Sequence, residues 1–205
     1  MRRVRILLSL LGCALLLGEA PAQDIRLITA AGQKQMLAAP GTVPVGARDP
    51  DVTIVEYFDY NCPYCKQLAP TLQALLAQDR RVAVLYKDWP ILGAVSEYAA
   101  ASALAAGWQG KYLAAHDALM GAARLARNDQ VDAALQGAGV NLNLLKADRT
   151  RHAREIAALL ARNDEEAHAL DLGGTPGLVV GRQRVAGIAD ASLLQQLVVR
   201  ARHEK

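Results

Sequence analysis

The chain reads as an α/β fold in which a strand-helix-strand unit and a later hairpin-helix unit are separated by a helical block. Three observations predict it. A β-branched and aromatic run, VTIVEYF, is followed by leucines at helical spacing (Leu68, Leu72, Leu75, Leu76) and then by a second apolar run, VAVLY, at residues 82–86. A long alanine-rich stretch with helical patterning occupies the middle of the chain, roughly 80 residues by its periodicity. Regular β patterning returns only at GLVV (177–180) and RVA (184–186), with a glycine-led turn between them, and a last apolar stripe follows at Leu193, Leu194, Leu197 and Val198.

A chain of 205 residues that is 52% hydrophobic can bury a core without depending on metal or crosslinks. It opens with MRRVRILLSLLGCALLLGEAPAQ, three arginines ahead of an apolar run that closes on Ala20-Pro-Ala22. That pattern predicts a secretory signal peptide over residues 1–22, cut after Ala22. Two other readings of this end are weaker. Leu10-Leu-Gly-Cys13 looks like a lipoprotein cleavage box, but the apolar run continues past the cysteine. The run is also too short to span a bilayer, which takes ~20 residues. Loss of residues 1–22 brings the net charge from +3 to about +1, which gives no reason to expect nucleic acid or an anionic membrane as a partner. It also removes Cys13, so Cys62 and Cys65 are the cysteines of the exported chain.

Residues 23–45 form an N-terminal extension. Ile25, Leu27, Ile28, Met36 and Leu37 recur there too irregularly for one clear face, and a loosely docked helix is the expectation. Residues 46–205 form the main domain, with the helical insertion at about 92–171. In the insertion, Trp108, Tyr112, Ala115 and Leu119 mark one helical face, and residues 131–135, 142–145 and 156–160 mark three further helices. Asp190 or Ser192 is placed to cap the last helix.

The first strand ends just before Asp59-Tyr-Asn-Cys-Pro-Tyr-Cys-Lys66, so the cysteines lie at a strand-to-helix junction. Pro63 suits the first helical position, where a missing N–H is harmless. Pro70 falls inside the helix and should kink it. Cys62 is then at the helix N-cap, where free N–H groups and the positive helix end favour its thiolate, and it is expected to be an exposed nucleophile.

A CxxC pair can hold metal, staple a fold or exchange electrons. Zinc generally takes four ligands, and the four histidines, His116, His152, His168 and His203, are scattered; no metal site is expected, although reduced CPYC could capture copper(I). A bridge across two residues closes a very short loop and removes little unfolded-state entropy, which argues against a structural staple. A third alternative, a non-redox chaperone, would survive replacement of Cys62.

With these pieces in place, the chain resembles the exported thiol-disulfide oxidoreductases of the DsbA type, which have a thioredoxin fold (βαβ…ββα) with an inserted helical domain. The resemblance rests on FDYNCPYCK after a strand, Pro70 within the helix, Gly174-Thr-Pro176 before the hairpin and helices between the two halves. The CPYC and Thr-Pro combination is closer to the isomerase and copper-tolerance branches than to the archetypal oxidase.

The resemblance implies an enzyme that forms, reduces or isomerises disulfides in exported, periplasmic proteins by exchange through Cys62 and Cys65, with the direction open and no cofactor beyond that redox pair. It implies a cis proline at Pro176, with the Thr175 backbone free to pair with an extended substrate, and Pro63 and Tyr64 on the same substrate-binding rim. It further implies a membrane redox partner, either a quinone-linked oxidant or a thiol reductant, and allows a homo-oligomer through the N-terminal extension.

Glu56 completes the expected site. In a regular strand it shares a face with Val52, Ile54 and Phe58, which puts a carboxylate among apolar side chains. Burial would raise its pKa and suit it to exchange a proton with Cys65. The competing reading pairs it with Lys87.

Overall fold

The computed structural model describes residues 24–38 and 44–204; the expected signal peptide, its cleavage point and Cys13 lie outside them. Its centre is a six-stranded sheet in the order β1-β6-β5-β3-β4-β2. The strands are β1 (Ile25–Leu27), β2 (Val45–Gly46), β3 (Val52–Phe58), β4 (Val82–Asp88), β5 (Gly177–Val180) and β6 (Gln183–Ala186). β3 and β4 pair in parallel, joined by helix α2 (Pro63–Gln78), while β5 runs antiparallel to β3 and forms a hairpin with β6. Gly181 turns that hairpin at φ 59°, and a Cβ there would come within 2.6 Å of the Ala201 Cβ, so glycine is required on both counts.

β4 and all of β3 but Thr53 are buried, because helices cover both faces of the sheet. One face carries Val52, Ile54 and Phe58 and packs on Leu68 and Leu72 of α2 and on Leu194 and Leu197 of α8 (Ala191–His203). Asp190 caps α8, its carboxylate accepting the Leu193 N–H at 2.8 Å. The other face carries Val55, Tyr57 and Leu85 and packs on Met36 of α1 (Ala30–Leu37) and Ala167 of α7 (Ala153–Ala169).

The insertion is α3 (Ala94–Ala106), α4 (Tyr112–Gly121), α5 (Asn128–Gly137), α6 (Leu142–Arg151) and α7. Its alanine-rich start is two helices rather than one, broken at a 3-10 turn, Gly107–Gln109, that Gly110 closes at φ 67°. Trp108 therefore leaves the face shared by Tyr112, Ala115 and Leu119; it lies in the turn, 46% exposed, with its ring stacked on His152 at 3.9 Å. α7 outruns its short apolar stripe and carries Glu166 and Ala167 across the second face of the sheet. α2 passes through Pro70 as one helix.

The N-terminal extension holds the expected helix, α1, capped by Thr29 and docked through Met36. It also supplies one edge of the sheet, β1 against β6, and its junction with the main domain supplies the other, β2 against β4. Strands of three and two residues are too short for alternation to reveal them. Among the described residues no helix is long and apolar enough to cross a membrane.

Candidate active site

β3 delivers its C-terminal end to a tight turn, Asp59 to Asn61, and the chain enters α2 with Cys62 as N-cap and Pro63 as the first helical residue. The Thr175–Pro176 bond, which is cis, comes alongside from the segment before β5. The Cys62 thiol donates to the Thr175 carbonyl at 3.2 Å across 113 residues of sequence. This contact corrects the expectation of an exposed nucleophile. Cys62 is 3% exposed, because the Thr175 segment covers a sulfur that the helix start alone would leave open. What stands free at the rim is Pro63 and Tyr64, the latter 58% exposed, with Thr175 half-buried and Pro176 buried behind them.

The two thiols are unlike. Cys62 is held down to about 6. The largest cause is a hydrogen bond from Cys65; burial opposes it, and the Thr175 side chain and the N–H groups of Cys65 and Tyr64 add to the lowering. The helix-start N–H groups expected to favour the thiolate do so, but come after the partner thiol. Cys65 is fully buried and pushed far above the ordinary thiol range by burial first, then by its hydrogen bond to Cys62 and by the charge of Glu56. Near neutral pH the pair therefore carries one thiolate, on Cys62, and the bond from its thiol to the Thr175 carbonyl belongs to the protonated form.

Glu56 sits where alternation puts it, 1% exposed on the α2 side of β3. Burial, and next the negative charge of Cys62, push its carboxyl up to about 8. Its Oε1 has no hydrogen-bond partner. The alternative pairing with Lys87 is overturned. In the parallel register Glu56 stands opposite Tyr86 and Tyr57 opposite Lys87, so Glu56 and Lys87 point to opposite faces of the sheet. Lys87 instead binds Glu166 of α7 at 2.6 Å and the Met36 carbonyl at 3.2 Å, and the Tyr57 hydroxyl donates to the same Glu166 oxygen. Glu56 is left as a lone buried acid beside the buried thiol.

Several neighbours of the site have no signature in the sequence. His116 of α4 is buried among Phe58, Tyr60, Tyr86 and Tyr112, and its Nδ1 meets the Tyr60 hydroxyl at 3.3 Å. Burial holds it down to about 3, so it is neutral. Asp88, at the end of β4, accepts from the Tyr112 hydroxyl at 2.8 Å and is raised to about 7 by burial. Asp59 and Asn61 face the insertion. The one available signal was their type: short polar residues that favour turns. Among the described residues no group of three or more histidine, cysteine or acidic side chains converges as metal ligands.

The arrangement pairs an activated sulfur with a masked one and a proton-holding acid next to the masked one. Comparisons with known proteins identify a matching family and several similar chains. The family described as the DSBA-like thioredoxin domain matches residues 53–199. A thioredoxin-like oxidoreductase from Silicibacter pomeroyi is 38% identical with a TM-score of 0.80, covering 86% of this chain and 99% of its own. A periplasmic thioredoxin-like protein from Salmonella enterica serovar Typhimurium is 26% identical with a TM-score of 0.74, over 87% and 99% of the two chains. Among curated proteins, a Na(+)/H(+) antiporter of Salinispora arenicola is 32% identical over 162 residues, 76% of this chain and 24% of the antiporter. The chain spans about a quarter of the length of the curated relatives it matches.

Proposed function

The chain belongs to the family of DSBA-like thioredoxin domains, and from that premise we propose that it is an exported protein thiol-disulfide oxidoreductase acting on cysteines of other exported proteins through Cys62 and Cys65. The observation that carries this reading is the inequality of the two sulfurs, one thiol held at about 6 and its neighbour held far above the ordinary range. A structural staple or a metal clip has no use for that asymmetry.

In the oxidising direction a substrate thiolate attacks the sulfur of Cys62. The Cys62–Cys65 bond breaks, Cys65 leaves and takes a proton from Glu56, and a substrate–Cys62 disulfide forms. A second substrate thiolate then attacks the substrate sulfur and expels Cys62 as its stable thiolate. Two electrons pass from the substrate to the CPYC pair. Read in reverse, Cys62 attacks a substrate disulfide, Glu56 takes the Cys65 proton and Cys65 resolves. Pro63, Tyr64, Thr175 and Pro176 form the rim that the substrate chain crosses.

The lowered Cys62 thiol favours the oxidising direction. Stabilisation of the Cys62 thiolate belongs to the dithiol form alone, and at pH 7 a fall from 9.0 to about 6 lowers that form by about 1.4 kcal/mol, equivalent to about 30 mV. A membrane partner that passes electrons onward, a quinone-linked oxidant, then restores the disulfide; a thiol reductant would serve the opposite direction. The likeness to a periplasmic protein and the signal-like start support export. Acid quench and alkylation in the native compartment test the direction: CPYC found mostly as disulfide agrees, and CPYC found mostly as dithiol assigns the protein to reduction or isomerisation.

A further inference from the structure

The turn that presents Cys62 is fastened from outside the strand and helix that carry it. Asp59 is 1% exposed. Its carboxylate accepts the Asn61 N–H at 2.7 Å, the Ser96 hydroxyl at 2.7 Å and the Leu92 N–H at 2.9 Å, while its carbonyl accepts the N–H of Cys62 at 3.0 Å. Asn61 continues the pattern. Its amide donates to the Leu125 carbonyl at 3.0 Å and to the Ser96 hydroxyl at 3.3 Å, and its own side-chain oxygen accepts the Leu125 N–H at 2.8 Å. The side chain thus bonds Leu125 as a neighbouring strand would.

All three outside partners belong to the insertion: Leu92 just before α3, Ser96 within it, and Leu125 after α4. Lys66, one residue past the CPYC, makes a third tie by donating to the carbonyls of Leu119 and Met120 near the end of α4, at 2.7 and 3.3 Å. None of these bonds caps α2, whose N-cap residue, Cys62, makes no capping hydrogen bond to the N–H groups of its own helix. A buried carboxylate is costly to desolvate, and one that gathers donors from two separate elements fixes those elements relative to each other. The element fixed here ends at the reactive sulfur.

We propose that Asp59 and Asn61 are positioning residues for thiol-disulfide exchange, which fasten the Cys62 turn to the helical insertion and so hold the Cys62 sulfur in place at the start of α2, against the Thr175 segment. The inference rests on the reading of CPYC as a redox pair. Under it the insertion sets the reactivity of a nucleophile to which it contributes no reacting atom.

Three variants test it: Asn61→Ala, Ser96→Ala and Tyr98→Phe. The last removes a bond from Tyr98 to Asp132 at 2.8 Å that ties α3 to α5 away from the turn. For each reduced protein the pH midpoint of Cys62 alkylation, the equilibrium with glutathione and the urea stability are measured. Asn61→Ala should move the midpoint up by about one unit and displace the glutathione equilibrium about fivefold toward the protein disulfide at pH 7. Ser96→Ala should shift both in the same direction by less, and Tyr98→Phe should lose stability with the midpoint unmoved. An unmoved midpoint in Asn61→Ala and Ser96→Ala overturns the proposal, as does an equal shift in Tyr98→Phe. If Asn61→Ala does not fold, Ser96→Ala decides by the same criterion. A wild-type protein that exchanges no thiols with glutathione instead overturns the redox reading itself, a separate outcome.

Discussion

Replacing Glu56 by glutamine should stabilise the reduced protein at neutral pH, although it alters a residue of the site. The carboxyl is 1% exposed, lacks a partner on Oε1 and has its pKa raised from 4.5 to about 8. An acid whose folded pKa lies above its unfolded value holds its proton longer in the native state, so stability falls as pH rises through the window between the two. Below pH 4.5 the side chain is neutral in both states and the variant should match the wild type. At pH 7 the unfolded carboxyl is ionised while the folded one is mostly protonated, a penalty of about 3 kcal/mol, which grows to about 5 kcal/mol above pH 8. Glutamine has neither form to choose between. Urea unfolding of reduced wild type and Glu56→Gln at pH 4, 5.5, 7 and 8.5 gives the difference directly. A difference that stays flat with pH, or a variant less stable at pH 8.5, refutes the assignment of Glu56 as an unpaired buried acid.

The same substitution should slow exchange by about 10²-fold, the lower end of what a positioned acid-base group contributes, with the loss in the step where Cys65 leaves or attacks; stopped-flow fluorescence with a peptide disulfide reads it. In the reduced protein, thiolate absorbance at 240 nm should rise with a midpoint at about 6 for Cys62, and a Cys62→Ala variant should show no thiolate up to pH 9 because Cys65 titrates far higher. Lys87→Met leaves Glu166 without its buried partner and should cost about 3 kcal/mol in urea unfolding. The Cys62 midpoint should stay in place, since Lys87 faces the other side of the sheet.

Much of this site is legible along one strand and one helix. VTIVEYF announces a buried strand, alternation within it places Glu56 on the face of Ile54 and Phe58, and Pro63 after Cys62 announces a helix start. Each inference needs only a local period, two for the strand and 3.6 for the helix. What local periods do not carry is the pairing between distant segments. The separation of Glu56 from Lys87 is a matter of β3–β4 register, which neither run states by itself. The covering of Cys62 comes from Thr175, far along the chain, and the anchoring of Asp59 and Asn61 comes from Leu92, Ser96 and Leu125. β1 and β2 hold too few residues for a pattern, and Trp108 leaves the expected face because the turn closed by Gly110 breaks a helical run whose alanines read as continuous.

The central claim is that Cys62 is the sulfur that joins the substrate and Cys65 the one that releases it. Removing the releasing sulfur should therefore leave substrates attached. Cys65→Ala produced in the native compartment, acid-quenched, alkylated and separated on non-reducing gels, should carry exported proteins in reductant-sensitive adducts that map to Cys62 by mass spectrometry. A Cys62→Ala, Cys65→Ala protein should carry none. Adducts absent from Cys65→Ala when reduced and oxidised exported proteins are both present would contradict the account.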